Sequence, residues 1–561
     1  MGSMWILVLL LQSLGGDAAA TPPNIVLLVL DDIGWADVGF HGGDFPTPNL
    51  DQFAVKDGVN LERLYVMPQC SPTRAAIMTG RYSWKTGMQH FTTIAPGSTA
   101  AIPNDVPTLA ERMAGEGYAT HAIGKWHLGY SEWKHTPTGR GFHSYTGYLQ
   151  GQTDYYNRTM PSCGPLCLYP SNCESKCKIG GDCSDPKSSP YGPMAAGEDW
   201  WVNQAISTAD FGKYTVDDYV QRFDEIVNST SRGSNAKPLF IYFAHQLAHI
   251  PLQAPPEPEH LEACRHVRGG DAEVNRTVLC AMASKLDSSV GQLVASLRAN
   301  GLWENTVIWA VSDNGGMTAW GDGFPASASS NWPLRGGKTT LYEGGVRSVS
   351  FIFGGWNGIP DKARGTTVPT LLHAVDVVPS LVHLTSPTSS LADLDVDGLD
   401  VWDHLMGRAP SPNRTEIPLN IAINRDLTVT AVPKPIGHSA HLTNYTALID
   451  WPWKIIIGSS YIPVGQKEAR RRSGWWTVAN YTYQPPPSSE EGRGVVLFNL
   501  EQDENERHDV AEANPNVVER LTQRVHDYWL SKDEGYTEPQ INIPHMLANP
   551  ERHSWTWKPF L

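Results

Sequence analysis

Asn24-Ile25-Val26-Leu27-Leu28-Val29-Leu30-Asp31-Asp32 is the stretch whose reading decides the fold. Ile25–Leu30 is apolar throughout, without the alternation of a half-solvated strand, which predicts a parallel strand covered on both faces. It stops at two carboxylates. Three later segments end in the same way. Tyr118–Ile123 runs into Gly124-Lys125-Trp126-His127, Leu239–Ala244 is followed by His245 and His249, and Thr306–Val311 ends in Ser312-Asp313-Asn314. Helical patterns at Pro107–Ala114 and Ala281–Leu297 lie among them. This arrangement predicts an α/β fold with a large, mostly parallel sheet flanked by helices. Ligands of open α/β sheets bind outside the carboxyl ends of the strands, so Asp31, Asp32, Lys125, His127, His249, Asp313 and Asn314 should share one rim. A single aspartate after a strand is ordinarily a turn residue or a cap. Four such endings in one chain call for another reason.

A second informative stretch is Val66–Tyr82. Ser71 reads as a helix N-cap, Pro72 as the first helical residue and Gly80 as the stop. Cys70 then sits at the helix N-terminus, where free N–H groups favour an anion, and Arg74 falls on the same face one turn on. A lone cysteine in such a place is ordinarily buried or disulfide-bonded. The rest of the chain argues for more.

With 561 residues the chain exceeds one compact core, so two domains are expected, with the first ending near residue 415. Beyond it come short strand candidates at Thr446–Ile449, Trp453–Ile457 and Val495–Leu500. A helix follows, capped by Asn514-Pro515, with Val517, Val518, Leu521, Val525 and Trp529 on one face. The expectation is a smaller antiparallel sheet with a packed helix over residues 416–561. The charge, 43 − 58 = −15, speaks against a nucleic-acid partner, and any anionic substrate must be held by local cations. Residues 1–20 read as a signal peptide, with an apolar run from Trp5 to Leu14 and small residues at Ala18–Ala20. No other apolar stretch is long enough to span a membrane. Sequons at Asn157, Asn228, Asn275, Asn413, Asn444 and Asn480 join the leader in suggesting a glycoprotein of the secretory pathway, lysosomal or exported. Of eight cysteines, Cys163, Cys167, Cys173, Cys177 and Cys183 crowd a Gly/Pro/Ser-rich insertion at about 151–200, while Cys264 and Cys280 bracket a short segment. Disulfides are the leading explanation, a zinc knuckle the lesser one. Lys467 and Arg470-Arg471-Arg472 form the one basic run, read as a solvated loop or a rim contact for an acidic glycan.

Asp31, Asp32, Asp313 and Asn314 offer only oxygen, which suits a hard cation such as Ca2+ better than zinc. Lys125, Lys338, Arg74 and two histidines add positive charge, making a site for a tetrahedral oxyanion, sulfate or phosphate.

These residues carry a resemblance. Cys70-Ser71-Pro72-Thr73-Arg74 with Thr79-Gly80-Arg81, and Gly124-Lys125-Trp126-His127-Leu128-Gly129, resemble the two signatures of the type I sulfatases, with Thr73 where serine is usual. His249-Ile250-Pro251-Leu252-Gln253, Asn331-Trp332-Pro333-Leu334-Arg335-Gly336 and Leu341-Tyr342-Glu343-Gly344-Gly345 extend the similarity over most of residues 24–560, closest to the N-acetylgalactosamine-4-sulfatase (arylsulfatase B) branch. The five-cysteine stretch has no counterpart there.

The resemblance implies the alkaline-phosphatase-like sulfatase fold and conversion of Cys70 to Cα-formylglycine (3-oxoalanine) by the formylglycine-generating enzyme. It further implies Ca2+ held by Asp31, Asp32, Asp313, Asn314 and residue 70, and attack by the hydrated aldehyde on a sulfated carbohydrate. In that scheme Arg74 holds the nucleophile, His127 takes its proton, Lys125 and Lys338 grip sulfate, and His249 protonates the leaving alcohol. His245 is the competitor for that last role. The rival functions are a phosphatase or phosphodiesterase of the same superfamily and a non-catalytic calcium-dependent glycan binder.

Overall fold

The apolar run is a strand, β1 (Asn24–Leu30), buried at every position. It lies inside a ten-stranded sheet with β2 (Val59–Leu61), β3 (Ala119–Lys125), β4 (Ser144–Tyr148), β5 (Trp201–Val202), β6 (Ala205–Ile206), β7 (Leu239–Ala244), β8 (Thr306–Ser312), β9 (Ser350–Gly354) and β10 (Thr366–Val368). The order is β10-β2-β9-β8-β1-β7-β3-β4-β5-β6. β8, β1, β7, β3 and β4 run parallel, while β9 and β5 join antiparallel on either side. The computed structural model describes residues 22–561 except 90–93, 95, 161–196, 231–236, 269–272, 319–327, 386–393, 422–444, 459–472, 491–493, 531–536, 538–539, 541–545, 549–552 and 555. The leader, the five clustered cysteines, Asn444 and the basic run therefore lie outside the described residues.

Both faces of β1 are covered, which is why its sequence does not alternate. Ile25, Leu27 and Val29 pack with Ala75–Met78, Leu109 and Met113, and with Val377 and Leu381. Val26, Leu28 and Leu30 pack with Leu50 and Phe53, with Tyr219 and Phe223, and with Leu286, Val290 and Leu293. Those partners come from α1 (Pro48–Val55), α2 (Cys70–Thr79), α3 (Leu109–Gly115), α4 (Thr215–Thr230), α5 (Glu273–Ala299) and α6 (Val377–His383). A disulfide joins Cys264 to Cys280 in α5, a pairing the sequence left open. No helix among the described residues is long and apolar enough to cross a membrane.

β11 (Glu416–Asn420), β12 (Thr446–Asp450), β13 (Trp453–Ile457) and β14 (Val495–Asn499) form a separate antiparallel sheet. Leu521, Val525 and Tyr528 of α7 (Pro515–Leu530) are buried against Leu448, Ile455 and Leu497, with Val517, Val518 and Trp529 at the margin of the contact. The opposite face meets Tyr65, Leu341 and Val346 of the larger unit.

The start of α2 departs from the sequence reading. The helix begins at Cys70, with Gln69 as its N-cap and no capping side chain. Ser71 lies inside the first turn, where its hydroxyl donates to His127 O at 2.9 Å and accepts from Ile94 N at 3.2 Å. Its bonds thus run to distant loops, which local sequence rules do not see. Thr73 braces the approach instead, accepting from Met67 N at 2.9 Å. Gly80 ends the helix with φ 70°, as expected.

One glycine sets the spacing of the site strands. Gly124, at φ 94°, pairs with Ala244 on β7, and a Cβ there would lie 1.9 Å from Ala244 O. Gly124→Ala must therefore separate β3 from β7 just before Lys125. We expect a loss of about 3 kcal/mol in unfolding free energy in urea; an unchanged midpoint would show that the sheet absorbs the methyl group.

Candidate active site

Four strand ends and one helix start meet at a single point. β1 delivers Asp31 and Asp32, β3 ends on Lys125, the turn after β7 carries His249, β8 leads into Asp313 and Asn314, and α2 begins at Cys70. Asp32 (φ 61°) and His127 (φ 55°) sit in the left-handed region. That costs on the order of 1 kcal/mol each and is sustained here by the surrounding bonds.

The contacts pair acid with base. Lys125 Nζ lies 2.9 and 2.8 Å from the two Asp31 oxygens, and Lys338 Nζ 2.6 and 2.8 Å from those of Asp32. Arg74 reaches Asp313 Oδ2 through Nε and Nη2, both at 2.8 Å, and Asp31 at 3.5 Å. Asn314 Nδ2 donates to Asp32 Oδ1 at 2.8 Å. Ligand atoms of Asp31, Asp32, Cys70 and His249 lie within 4.8 Å of one another. Every residue proposed from the sequence for metal or substrate is thus in one cluster. His249 and Lys338, each 7 % exposed, are its most accessible members; the others are at most 1 % exposed.

Three carboxylates this close in a dry site disturb one another. Burial, Asp313 and Asp32 push Asp31 up to about 7, against Lys125 and Arg74. Burial acts on Asp32 in the same direction, but Lys338, His249 and Lys125 prevail and hold it below the usual carboxylate range. The Cys70 thiol is pushed up to about 12 by burial and by Asp313 and Asp31, so it is no thiolate nucleophile. Asn314 Oδ1 is buried and accepts no hydrogen bond. An orphaned carbonyl oxygen beside three carboxylates fits a hard, oxygen-seeking cation.

The three histidines differ sharply. His127 Nε2 lies 3.1 Å from Ile94 O and must donate, which leaves Nδ1, buried and without a partner, as a free lone pair. Burial, Lys125 and Arg74 keep this ring neutral, with a pKa well below the ordinary histidine value. His249 Nδ1 lies 2.7 Å from Ile250 O, and its Nε2 is 3.8 Å from Asp32 Oδ2. Burial, Lys338 and Lys125 lower its pKa too, against Asp32. His245, the competitor, lies on a segment that is neither helix nor strand and points into the core. Its Nε2 bonds Ser289 Oγ at 3.0 Å and its Nδ1 accepts from Leu247 N at 3.0 Å, so both nitrogens are used in the core.

Sequence reasoning missed several supports. Tyr242 Oη stands 3.4 Å from Arg74 Nη1, and Asn331 bonds Trp35 N, Gly316 N and Gly336 O, tying three site loops together. A Cβ at Gly151 would meet the His127 ring at 2.7 Å. Asn331 is visible in the sequence only as part of a motif, without its role; nothing local marks Tyr242, inside β7, or Gly151.

The Sulfatase family pattern matches residues 23–387. Arylsulfatase J of Mus musculus is 31 % identical over 556 residues, covering 97 % of this chain and 81 % of that protein. N-acetylgalactosamine-6-sulfatase of Sus scrofa is 28 % identical over 577 residues, covering 98 % and 93 %. The crystal structure of Ps i-CgsB in complex with k-i-k-neocarrahexaose matches with a TM-score of 0.67 at 25 % identity, covering 95 % of this chain and 97 % of that one. None of these names supports the 4-sulfatase branch to which the motifs pointed. With its family pattern spanning well over half of the chain, the protein belongs to the sulfatase family and is a sulfuric ester hydrolase.

Proposed function

We propose that this sulfatase removes sulfate from sulfated sugars, with N-acetylgalactosamine 4-sulfate units of glycosaminoglycans as the specific substrate suggested by the motif resemblance. One observation carries the sulfate-ester reading: a buried site whose charges leave room for an anion. Asp31, Asp32 and Asp313 against Lys125, Lys338 and Arg74 give 3 − 3 = 0. A divalent cation held by Asp31, Asp32, Asp313, Asn314 and residue 70 leaves net positive charge, which an anionic ester offsets. A sugar-sulfatase and an oligosaccharide-bound structure among the similar proteins support the carbohydrate class. Among the described residues there is one metal-capable cluster, which favours this reading over a two-metal phosphatase.

Calcium in that place would supply the charge that favours an ionised hydroxyl on residue 70, and Cα-formylglycine, made from Cys70 by the formylglycine-generating enzyme, would supply that hydroxyl once hydrated. The chain's own residues do the rest. His127 accepts the proton at Nδ1, the lone pair its Ile94 bond leaves free. Arg74, anchored on Asp313, orients residue 70 from one turn along α2. Lys125 and Lys338 hold sulfate oxygens. His249, whose Nδ1 proton is committed to Ile250 O, takes up a second proton at Nε2 from solvent when the anionic ester binds beside it, and passes that proton to the departing alcohol. Residues 21–415 form the catalytic part in this reading and residues 416–561 a smaller second part. Passage through the secretory pathway to the lysosome or exterior agrees with the Cys264–Cys280 disulfide and with exposed sequon residues Asn157, Asn228, Asn413 and Asn480; Asn275 is half-buried.

Cys70→Ala should lower sulfate release from 4-nitrocatechol sulfate by at least about a thousandfold with an unchanged melting temperature. Substantial residual hydrolysis, or better turnover of 4-nitrophenyl phosphate by the wild type, contradicts the reading. An unmodified thiol in the Leu64–Arg74 peptide of native-host protein favours the glycan binder.

His245→Asn should keep hydrolysis within about threefold, because that ring serves the core. Burial, with Lys285, pushes His245 down to about 3. A depressed histidine stabilises fully above its unfolded value near 6.5 and loses that contribution as pH falls. The advantage of wild type over His245→Asn should therefore shrink by about 2 kcal/mol between pH 7 and 5. Lost hydrolysis with a constant stability difference would move the acid role to His245.

A further inference from the structure

The turn that carries His249 has no helix or strand of its own, so its shape depends on what grips it. On the strand side the grip is backbone: His245 N to Val29 O at 2.8 Å, Asp31 N to Leu247 O at 3.2 Å and Ala248 N to Asp31 O at 2.7 Å. On the other side, beside the turn's own bond from His249 N to Gln246 O at 3.0 Å, it is side chains, Tyr155 foremost. Tyr155 Oη lies 2.9 Å from Gln246 O and 2.8 Å from His249 O, so a single hydroxyl proton is shared between the two carbonyls that open and close the turn. His249 Nδ1 bonds the next carbonyl, Ile250 O. The direction of its ring therefore follows the backbone that Tyr155 fixes.

Tyr155 is itself tightly set. It is wholly buried, and its ring stacks on Tyr214 with centroids 5.0 Å apart and planes 13° off parallel. Its backbone N–H donates to Gln253 Oε1 at 2.8 Å. Gln246 closes the loop, its Nε2 donating to Thr153 O at 2.6 Å while its Oε1 accepts from Thr215 Oγ1 at 2.8 Å. Such a strap spends a buried hydroxyl on two main-chain atoms of one turn. A group that must meet a leaving oxygen within a few tenths of an ångström needs support of this kind.

We propose that Tyr155 is a positioning residue for the reaction, aiming His249 Nε2 at the bridging oxygen of the sulfate ester. This rests on the reading of His249 as proton donor to the leaving alcohol. Tyr155 does not touch substrate. Its effect is felt in proportion to how much the leaving group needs a proton.

The test uses full-length glycosylated enzyme with residue 70 shown by mass to be converted, and substituted phenyl sulfates of graded leaving-group acidity. Tyr155→Phe should lower kcat about tenfold on phenyl sulfate but only about twofold on 4-nitrophenyl sulfate, steepening the dependence on leaving-group pKa at an unchanged KM. His249→Ala should steepen it further, and the double variant should match His249→Ala. A uniform loss across the panel in Tyr155→Phe, or none, overturns the positioning role while a steepened His249→Ala leaves the His249 reading standing. An unsteepened His249→Ala overturns both. Gln253→Ala loosens the Tyr155 backbone without altering the turn and covers failure of Tyr155→Phe to fold: a steepened slope supports the proposal, and a wild-type slope overturns it.

Discussion

Three carboxylates buried where β1 and β8 end are the constraint on which the rest depends. Isolated ions at that depth would be prohibitively costly, and even paired ones recover their desolvation only through good geometry. The chain supplies that geometry from five places, bringing Lys125 from β3, Arg74 from α2 and Lys338 from a distant loop onto Asp31, Asp313 and Asp32. Each cation is nearly as buried as its partner. The arrangement stabilises little by itself; it holds a charge-balanced, preorganised socket in which an added cation and an anion can be matched.

The second sheet helps hold one edge of that socket. Lys454 of β13 bonds Glu343 and Glu506, each at 2.8 Å, with all three side chains at most 1 % exposed. Burial and Glu343 push Glu506 up to about 7 against Lys454, so this cluster too is balanced closely. Gly336 N bonds Gly474 O at 2.8 Å and Tyr445 Oη donates to Thr339 O at 2.6 Å. These bonds flank Lys338. Lys338 is thus braced from residues 445 and 474, both beyond residue 415, which ties the C-terminal part to the position proposed for sulfate.

What could be read in the sequence was whatever leaves a local imprint. A strand buried on both faces writes a continuous apolar run, so β1, β3, β7 and β8 were found with small boundary shifts, and their polar endings named the cluster. α7 announced itself by Asn514-Pro515 and a one-sided apolar stripe. Long-range bonds leave no such imprint. Ser71 looks like a cap by every local rule, yet its partners are His127 and Ile94. Tyr155 is ninety-four residues from the carbonyl of His249 that it holds. The family resemblance reached the sulfatase activity but not the sugar: the similar proteins named above include a 6-sulfatase and none named as a 4-sulfatase.

The most direct test of the central claim is a high-resolution crystal structure, with anomalous scattering, of enzyme shown to be active and supplied with calcium. The account predicts one cation ligated by Asp31, Asp32, Asp313, Asn314 and an oxygen of a modified residue 70. Active crystals in which Lys125 and Lys338 alone occupy those carboxylates, with no cation among them, would contradict it.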